Sequence, residues 1–526
     1  MFFLLVLLLS MVLGLYLYLR ERNKFFVKLG ISGPEPKLLL GNVFETTINS
    51  DQPKQLARWT AEFGKTYGVF QGGNKVIVTS DLALLHDVFV KKFAYFHGRA
   101  ENPLIDEDKR EQIHVFNARG MRWKRLRTIA NPAFSVTKLK EVIPTISDSI
   151  DHFMGLISDK TDPFDIYPYY KGLTIDIIGR VALGQENSDP DPESNPWLKS
   201  MDKTQSAPIT FATNPLYYIA MMLPELKPLW VLLADLKLKL RSQCSSGSNV
   251  QLGKNLMNII EERRANKKER KKDFIDTFLN VEAEEGWEKS EELLQSSEHI
   301  KSLKVDKKLT SGEIYSQCML FLIAGFETTA NAVSYATYLL AKNPDVQEKL
   351  IKEIDEKCGV NENLSYEDIQ QLSYLNCVMR ETLRLYPLAA FVQQRRAMKT
   401  VEAGKLTIPE GTEIFADVWS IHYDKEVWGS NANLFIPERF ESDLPHPMAW
   451  IPFGAGPRMC IGMRLALLED KLILVRLLQR FRFVACQGTR VSAWDPNATG
   501  CCDTNKLGAP GTVSPGKVLI KLEARA

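Results

Sequence analysis

The residues with chemistry to offer sit in a few short motifs. Phe453 to Gly462 read FGAGPRMCIG, which sets Cys460 in a glycine-rich decapeptide with Arg458 two positions before it and Gly462 two after. AGFETT, Ala324 to Thr329, places an acid and two hydroxyls in the apolar middle of a helical pattern bounded by Ser311 and by Asn343-Pro344. Two readings of it stand. In one, Thr328 or Thr329 bonds back to a carbonyl one turn earlier and Glu327 points to water. In the other, Ala324 and Gly325 let a ligand come close while Glu327 and Thr328 deliver protons beside it. ETLR sets Glu381 and Arg384 three apart on one helix face, where an ion pair forms. FIPERF supplies Arg439 in a loop, and MRWKRLR places Trp123 and Arg127 one helical turn apart.

The elements that must position these groups are mostly helical. Long amphipathic patterns dominate the second half of the chain, while NKVIVTS and GTEIFADV read as short strands. The expected fold class is mainly α with small β-sheets. The 526 residues, 45% hydrophobic and 25% charged, supply a large core, and no repeat or Gly/Ser linker marks a joint between domains. A net charge of +2 gives no ground for a nucleic-acid partner. The eight cysteines are too sparse for a disulfide scaffold and form no CxxC pairs, so Cys244, Cys318, Cys358 and Cys377 are expected as packing or surface residues.

The chain opens with an uncharged run from Phe2 to Leu19, followed by Arg20, Arg22, Lys24 and Lys28. As a helix it is long enough to cross most of a bilayer core of about 30 Å. With no basic residue before the run and several after it, it reads as an anchor that leaves the bulk of the protein cytosolic. The expected organisation is an anchor over 1–20, a basic, proline-containing hinge over 21–42, and one catalytic unit over 43–526. A second apolar stretch, Asn214 to Leu236, is broken by Pro224 and Pro228, which argues against a second span. It reads as core or as a surface segment dipping into the headgroup region. The charge-dense run from about Glu261 to Lys308 reads as solvated helix ends and a connector.

Taken together, in this order, the five motifs resemble those of a cytochrome P450, a haem-thiolate monooxygenase. FGAGPRMCIG fits that family's Phe-x-x-Gly-x-Arg-x-Cys-x-Gly signature at every fixed position. AGFETT is similar to its oxygen-activating helix, ETLR to its Glu-x-x-Arg, FIPERF to the arginine motif that follows, and WKRLR to its Trp-x-x-x-Arg helix. The wording around them (WKRLRTIANPAF, RLYP, IPERF) most resembles the animal microsomal group that includes family 3.

The resemblance implies a single catalytic domain of the cytochrome P450 fold binding haem b, with Cys460 as the ligand of the iron. It implies that Phe453 covers the sulfur, and that the glycines at 454, 456 and 462 let backbone N–H groups turn towards it. Ala324 would lie against the cofactor. The two haem propionates need cations or donors, and the resemblance assigns Arg458, Arg127 and Trp123, then Arg395 in preference to Arg396, with Arg99 a further candidate. Glu381, Arg384 and Arg439 become a buried structural triad that holds the cysteine loop. On the opposite side Glu327 would relay protons from solvent and Thr328 would hold the oxygen-derived ligand and its water, in a locally opened helix.

The implied reaction inserts one atom of O₂ into a lipophilic substrate, at the endoplasmic reticulum membrane. No flavin or nicotinamide fingerprint occurs in the chain, so NADPH would act through a separate NADPH–cytochrome P450 reductase, and the family admits cytochrome b5 as an additional partner. Arg122, Lys124, Arg125, Lys138 and Lys140 are the basic residues expected near that docking face. Two other functions are carried alongside: an isomerase or dehydratase of the same fold that rearranges a peroxide without O₂, which tends to lack an acid-alcohol pair, and a haem-binding sensor or carrier without turnover. The stretch from about 486 to 516 departs from the family's short tail, so pocket shape there does not follow from the resemblance.

Overall fold

The computed structural model describes residues 2–48, 52–185, 189–205, 213–242, 248–266, 271, 273–283, 306–490 and 512–525. The helices that matter below are α1 (Phe2–Arg22), α2 (Gly120–Ala130), α3 (Tyr167–Leu183), α4 (Pro196–Gln205), α5 (Lys227–Ser242), α6 (Ser311–Lys342), α7 (Ser373–Leu385) and α8 (Met463–Arg480). Strands β1 (Thr66–Gln71), β2 (Asn74–Thr79), β3 (Phe164–Asp165), β4 (Gln394–Arg396), β5 (Val401–Ala403), β6 (Leu406–Ile408), β7 (Glu413–Ala416), β8 (Phe481–Ala485) and β9 (Leu519–Ala524) form three small sheets. The fold is mostly helical, as the sequence predicts.

The largest sheet runs β1-β2-β7-β4. The two segments read as strands lie side by side in it: β2 pairs in parallel with β7, Val76 opposite Glu413. Strand β4 adds antiparallel to β7 with Arg395 opposite Ile414. The pleat turns successive side chains to opposite faces, and Arg395 is fully buried while Arg396 is half-buried and pairs with Glu101.

Helix α6 is the spine. It spans 32 residues and starts at a capping box in which Thr310 and Glu313 satisfy each other's backbone N–H groups. It ends at Asn343, before Pro344, which cannot continue the hydrogen-bond ladder. Most of its surface is buried, against α3 above all and against α7 and α8. Gly325 exists for one of these contacts: a Cβ there would stand 2.7 Å from Ile178 Cδ1 on α3. One of the two sequence readings gave this glycine to a ligand; the structure gives it to helix packing.

Among the described residues α1 is the one helix long and apolar enough to cross a membrane, with a mean hydropathy of 2.6. Its last turn is not detached from the rest. Arg22 is buried and donates to the carbonyl of Met222 at 2.9 Å, and the Tyr18 hydroxyl donates to Glu225 at 2.6 Å. Beyond it Phe26 and Ile31 are buried, and Phe26 packs where Gly68 of β1 leaves room. The second apolar stretch is a helix at Pro215–Met222, a turn at Pro224–Leu226 and the start of α5. Tyr218, Met221 and Trp230 of that stretch are buried, whereas Leu229, Leu232 and Leu236 are exposed. Cys318 and Cys377 pack in the interior, and Cys358 is half-buried. Cys244, much of the 261–308 run and residues 491–511 of the atypical tail lie outside the described residues.

Candidate active site

The cysteine loop is shaped by glycines. Gly454 and Gly456 have φ of +73° and +67°, a region that side chains with a Cβ rarely adopt. At Gly456 a Cβ would also stand 1.9 Å from the carbonyl oxygen of Phe89. The loop closes with the Cys460 N–H donating to the Phe453 carbonyl at 2.9 Å, and α8 begins three residues later. Burial pushes the Cys460 thiol pKa up, while N–H groups of Gly462 and Met463 that point at the sulfur, and the cations Arg127 and Arg99, pull it down. Cys460 nevertheless keeps an exposed surface. A thiol that is desolvated and still accessible lies against an internal space.

Arg99 and Arg127 act on that sulfur, and Arg395 and Arg458 join them in one cluster of cations. Arg458 donates to the Phe116 carbonyl at 3.1 Å and to that of Ala118, and lies 5.0 Å from the centre of the Trp123 ring. Arg395 donates to the carbonyls of Gln394 at 2.8 Å and Ala455 at 3.3 Å, and Arg99 to that of Val392 at 2.6 Å. Arg99 and Arg395 stack over Phe116 and Phe89 at 4.0 and 4.2 Å. None of Arg99, Arg395 and Arg458 has a carboxylate partner among the described residues, and the Nε of each is buried without an acceptor. Burial lowers all three pKa values, Arg99 to about 10, and Arg395 and Arg458 are lowered further by neighbouring arginines. Buried cations that repel one another require anions. A cofactor with two carboxylates and a metal that takes a thiolate meets that demand, so these residues fit haem. The fit includes Arg99, and it favours Arg395 over Arg396.

The triad assigned to structure is built as a single charged knot. Glu381 receives Arg384 in a two-pronged pair at 2.7 and 2.8 Å, with Arg439 Nε at 3.4 Å and the Ile436 N–H at 3.0 Å. Arg384 also donates to the carbonyls of His422 at 2.6 Å and Ala432 at 2.7 Å. His422, which the sequence reading missed, joins this knot to the cysteine loop. Its Nε2 accepts the Ile451 N–H at 3.1 Å, so its Nδ1 must carry the proton that it gives to the Arg384 carbonyl at 3.0 Å. Burial and Arg384 hold it neutral, with its pKa lowered to about 3. A lone histidine in WSIHYD has no spacing relation to Cys460 that sequence could use.

On α6 the helix runs unbroken through AGFETT, which corrects the expected local opening. Thr328 Oγ1 donates to the Ala324 carbonyl at 2.7 Å, so the local reading holds for this hydroxyl. Ile323 and Ala324 are exposed in the middle of this otherwise buried helix, as they would be beside an internal space. Glu327 does not point to water. It is buried at 6% exposure and accepts a hydrogen bond from Thr512 of the C-terminal segment at 3.0 Å. Burial raises its pKa, which Thr512 and the charge of Lys171 oppose.

The basic residues expected on a docking face divide. Arg122 and Arg125 turn inward to the buried Glu313, at 2.8 and 2.7 Å, because the cap of α6 leaves that carboxylate without water. They are not available to a partner. Lys138 pairs with Glu141 at 2.6 Å, and Lys140 with Glu367.

The comparisons with known proteins agree with this geometry. The family model described as Cytochrome P450 matches residues 31–502. Similar curated proteins of Caenorhabditis elegans include cytochrome P450 CYP13A3, 36% identical with 98% of each chain covered. Cytochrome P450 cyp-13B1 is 36% identical with 97% of each covered, and cytochrome P450 CYP13A5 is 34% identical with 98% of this chain and 97% of its own covered. Their names state a family and no substrate. With its motifs in order, its cysteine loop and arginine cluster assembled and nearly its whole length matched, this chain belongs to the cytochrome P450 family.

Proposed function

We propose that the chain is an anchored haem-thiolate monooxygenase that inserts one atom of O₂ into a lipophilic substrate. The observation that carries the reading is the meeting of Cys460, its sulfur facing the N–H groups of Gly462 and Met463, with a cluster of arginines of which Arg99, Arg395 and Arg458 lack carboxylate partners among the described residues. Cys460 would ligate the iron. Arg99, Arg127, Arg395 and Arg458 would bind the propionates, and Trp123 would support Arg458. When bound, haem with a thiolate ligand supplies the oxygen-activating chemistry.

The chain's own residues do the rest. Gly462 and Met463 donate to the sulfur and moderate its basicity. Phe453, packed beside Trp450 with ring centres 6.1 Å apart, shields that face from water. Ala324 leaves room beside the distal surface. Thr328, whose hydroxyl donates to the Ala324 carbonyl, would be the group that holds a proton beside the cofactor's distal face, and Glu327, whose pKa burial raises, would be the acid behind it. The pairing of Glu327 with Thr328 favours this reaction over peroxide rearrangement.

Electrons would come from NADPH through NADPH–cytochrome P450 reductase, with cytochrome b5 as a second donor. Helix α1 would anchor the chain in the endoplasmic reticulum membrane with the catalytic unit cytosolic. The exposed leucines of α5, tied to the end of α1 through Glu225 and Met222, would rest on the same bilayer. The test is reconstitution with reductase in nanodiscs. Substrate-dependent NADPH consumption with one oxygen atom from labelled O₂ in product supports the reading, and consumption-free turnover of a lipid hydroperoxide overturns it in favour of rearrangement.

A further inference from the structure

Glu327 faces away from bulk water, so a proton given inward must be replaced through groups that the family motif does not contain. Its outer side is closed by the C-terminal segment, which is fixed at several points. The Val513 carbonyl accepts from Asn331 Nδ2 at 3.2 Å and the Tyr335 hydroxyl at 3.3 Å, both on α6, and the Val513 N–H donates to the Leu388 carbonyl at 2.8 Å. Ser514 donates to the Tyr167 hydroxyl at 3.1 Å. Thr512 is thereby held with its hydroxyl on Glu327 Oε2.

The titratable groups that face this carboxylate come from two neighbouring helices. Tyr167 and Lys171 lie one turn apart on α3, with the Lys171 ammonium 5.3 Å from the Tyr167 ring centre. Asp202 on α4 receives Lys171 at 2.8 Å on both oxygens. Lys171 lowers the Glu327 pKa and Asp202 raises it, and burial and Glu327 raise that of Tyr167. The Asp202 side chain is 42% exposed and that of Lys171 16%. The pair is therefore part-exposed, while Glu327 is buried.

We propose that Thr512 and the Lys171–Asp202 pair are positioning residues for Glu327. Thr512 fixes the carboxyl in its buried orientation, and the ion pair sets the charge beside it. The proposal rests on the monooxygenase reading for its role in turnover. Its geometric content does not depend on that reading. The hydroxyl donor stabilises the ionised carboxylate, so its loss makes Glu327 harder to ionise; loss of the lysine acts in the same direction, and loss of the aspartate in the opposite one.

The experiment uses the full chain in nanodiscs. The carboxylic C=O infrared band of Glu327, identified by its loss in Glu327→Gln, is followed against pH, and the fraction of NADPH electrons released as hydrogen peroxide is measured with reductase. Thr512→Val and Lys171→Gln are expected to move the midpoint up, Asp202→Asn to move it down, and Thr512→Ser to leave it in place. Thr512→Val is also expected to raise the peroxide share at least threefold and to enlarge the solvent deuterium isotope effect. A midpoint unmoved by Thr512→Val, Lys171→Gln and Asp202→Asn, or Thr512→Ser behaving as Thr512→Val, overturns the proposal. Shifted midpoints without any oxygenated product would uphold the positioning and sink the monooxygenase reading; coupled product formation with unmoved midpoints would do the reverse.

Discussion

The two sides of the candidate site are held by opposite means. On the cysteine side the structural knot is bound several times over: Arg384 alone makes two bonds to Glu381 and further bonds to backbone carbonyls, and His422 ties that knot to Ile451, two residues before the loop. On the α6 side each reactive group has a single fixed partner, Ala324 for Thr328 and Thr512 for Glu327. A ligating sulfur has to stay still, and a proton donor has to exchange partners. Substitutions on the first side should therefore cost stability and cofactor, and those on the second should cost reaction and little else.

The largest effect is expected at the knot. Glu381→Ala strands Arg384 among groups that cannot reach water, at about 3–5 kcal/mol, and chemical unfolding should show that loss together with a fall in bound haem. Gly456→Ala comes next. It combines a positive φ with a Cβ inside contact distance of Phe89, and strain of about 1–3 kcal/mol from the backbone alone should appear as a lowered Tm and faster loss of haem.

The histidine gives the comparison a pH signature. His422 has its pKa lowered from 6.5 to about 3 in the fold. Its neutral form is the one the fold holds, so its contribution is complete above about 6.5 and is lost as pH falls towards 3, at up to about 1.4 kcal/mol per pH unit. Urea midpoints between pH 7 and pH 5 should fall less steeply in His422→Gln than in the parent. The smallest stability effect belongs to Thr328→Val, which removes one local hydrogen bond worth about 0.5–1.5 kcal/mol. Product formed per NADPH consumed should nevertheless drop by about tenfold or more. Equal stability losses at Thr328 and Glu381 would break the contrast.

The same contrast governs what could be read from the sequence. Cys460, Arg458 and the loop glycines are contiguous, and Glu381 and Arg384 share a helix turn, so each set falls within one short motif that the resemblance could match. Arg395 was found by resemblance, and the pleat of β4 explains why it and not Arg396 turns inward. His422, Arg99 and Thr512 act through contacts that only the folded chain makes; Thr512 lies 185 residues from Glu327. Spacing could not show that Arg122 and Arg125 serve a buried Glu313, because basic residues with an internal partner look like any others in a list. The helix pattern of α6 was legible, but not that Gly325 serves Ile178, since that depends on which face α3 covers.

The central claim is that Cys460 ligates haem. It is tested most directly by the carbon monoxide difference spectrum of the dithionite-reduced, full-length protein, recorded beside Cys460→Ala. The account predicts a strongly red-shifted Soret band in the parent that is absent from the variant. A band at the position typical of histidine ligation, unchanged by the substitution, would contradict it.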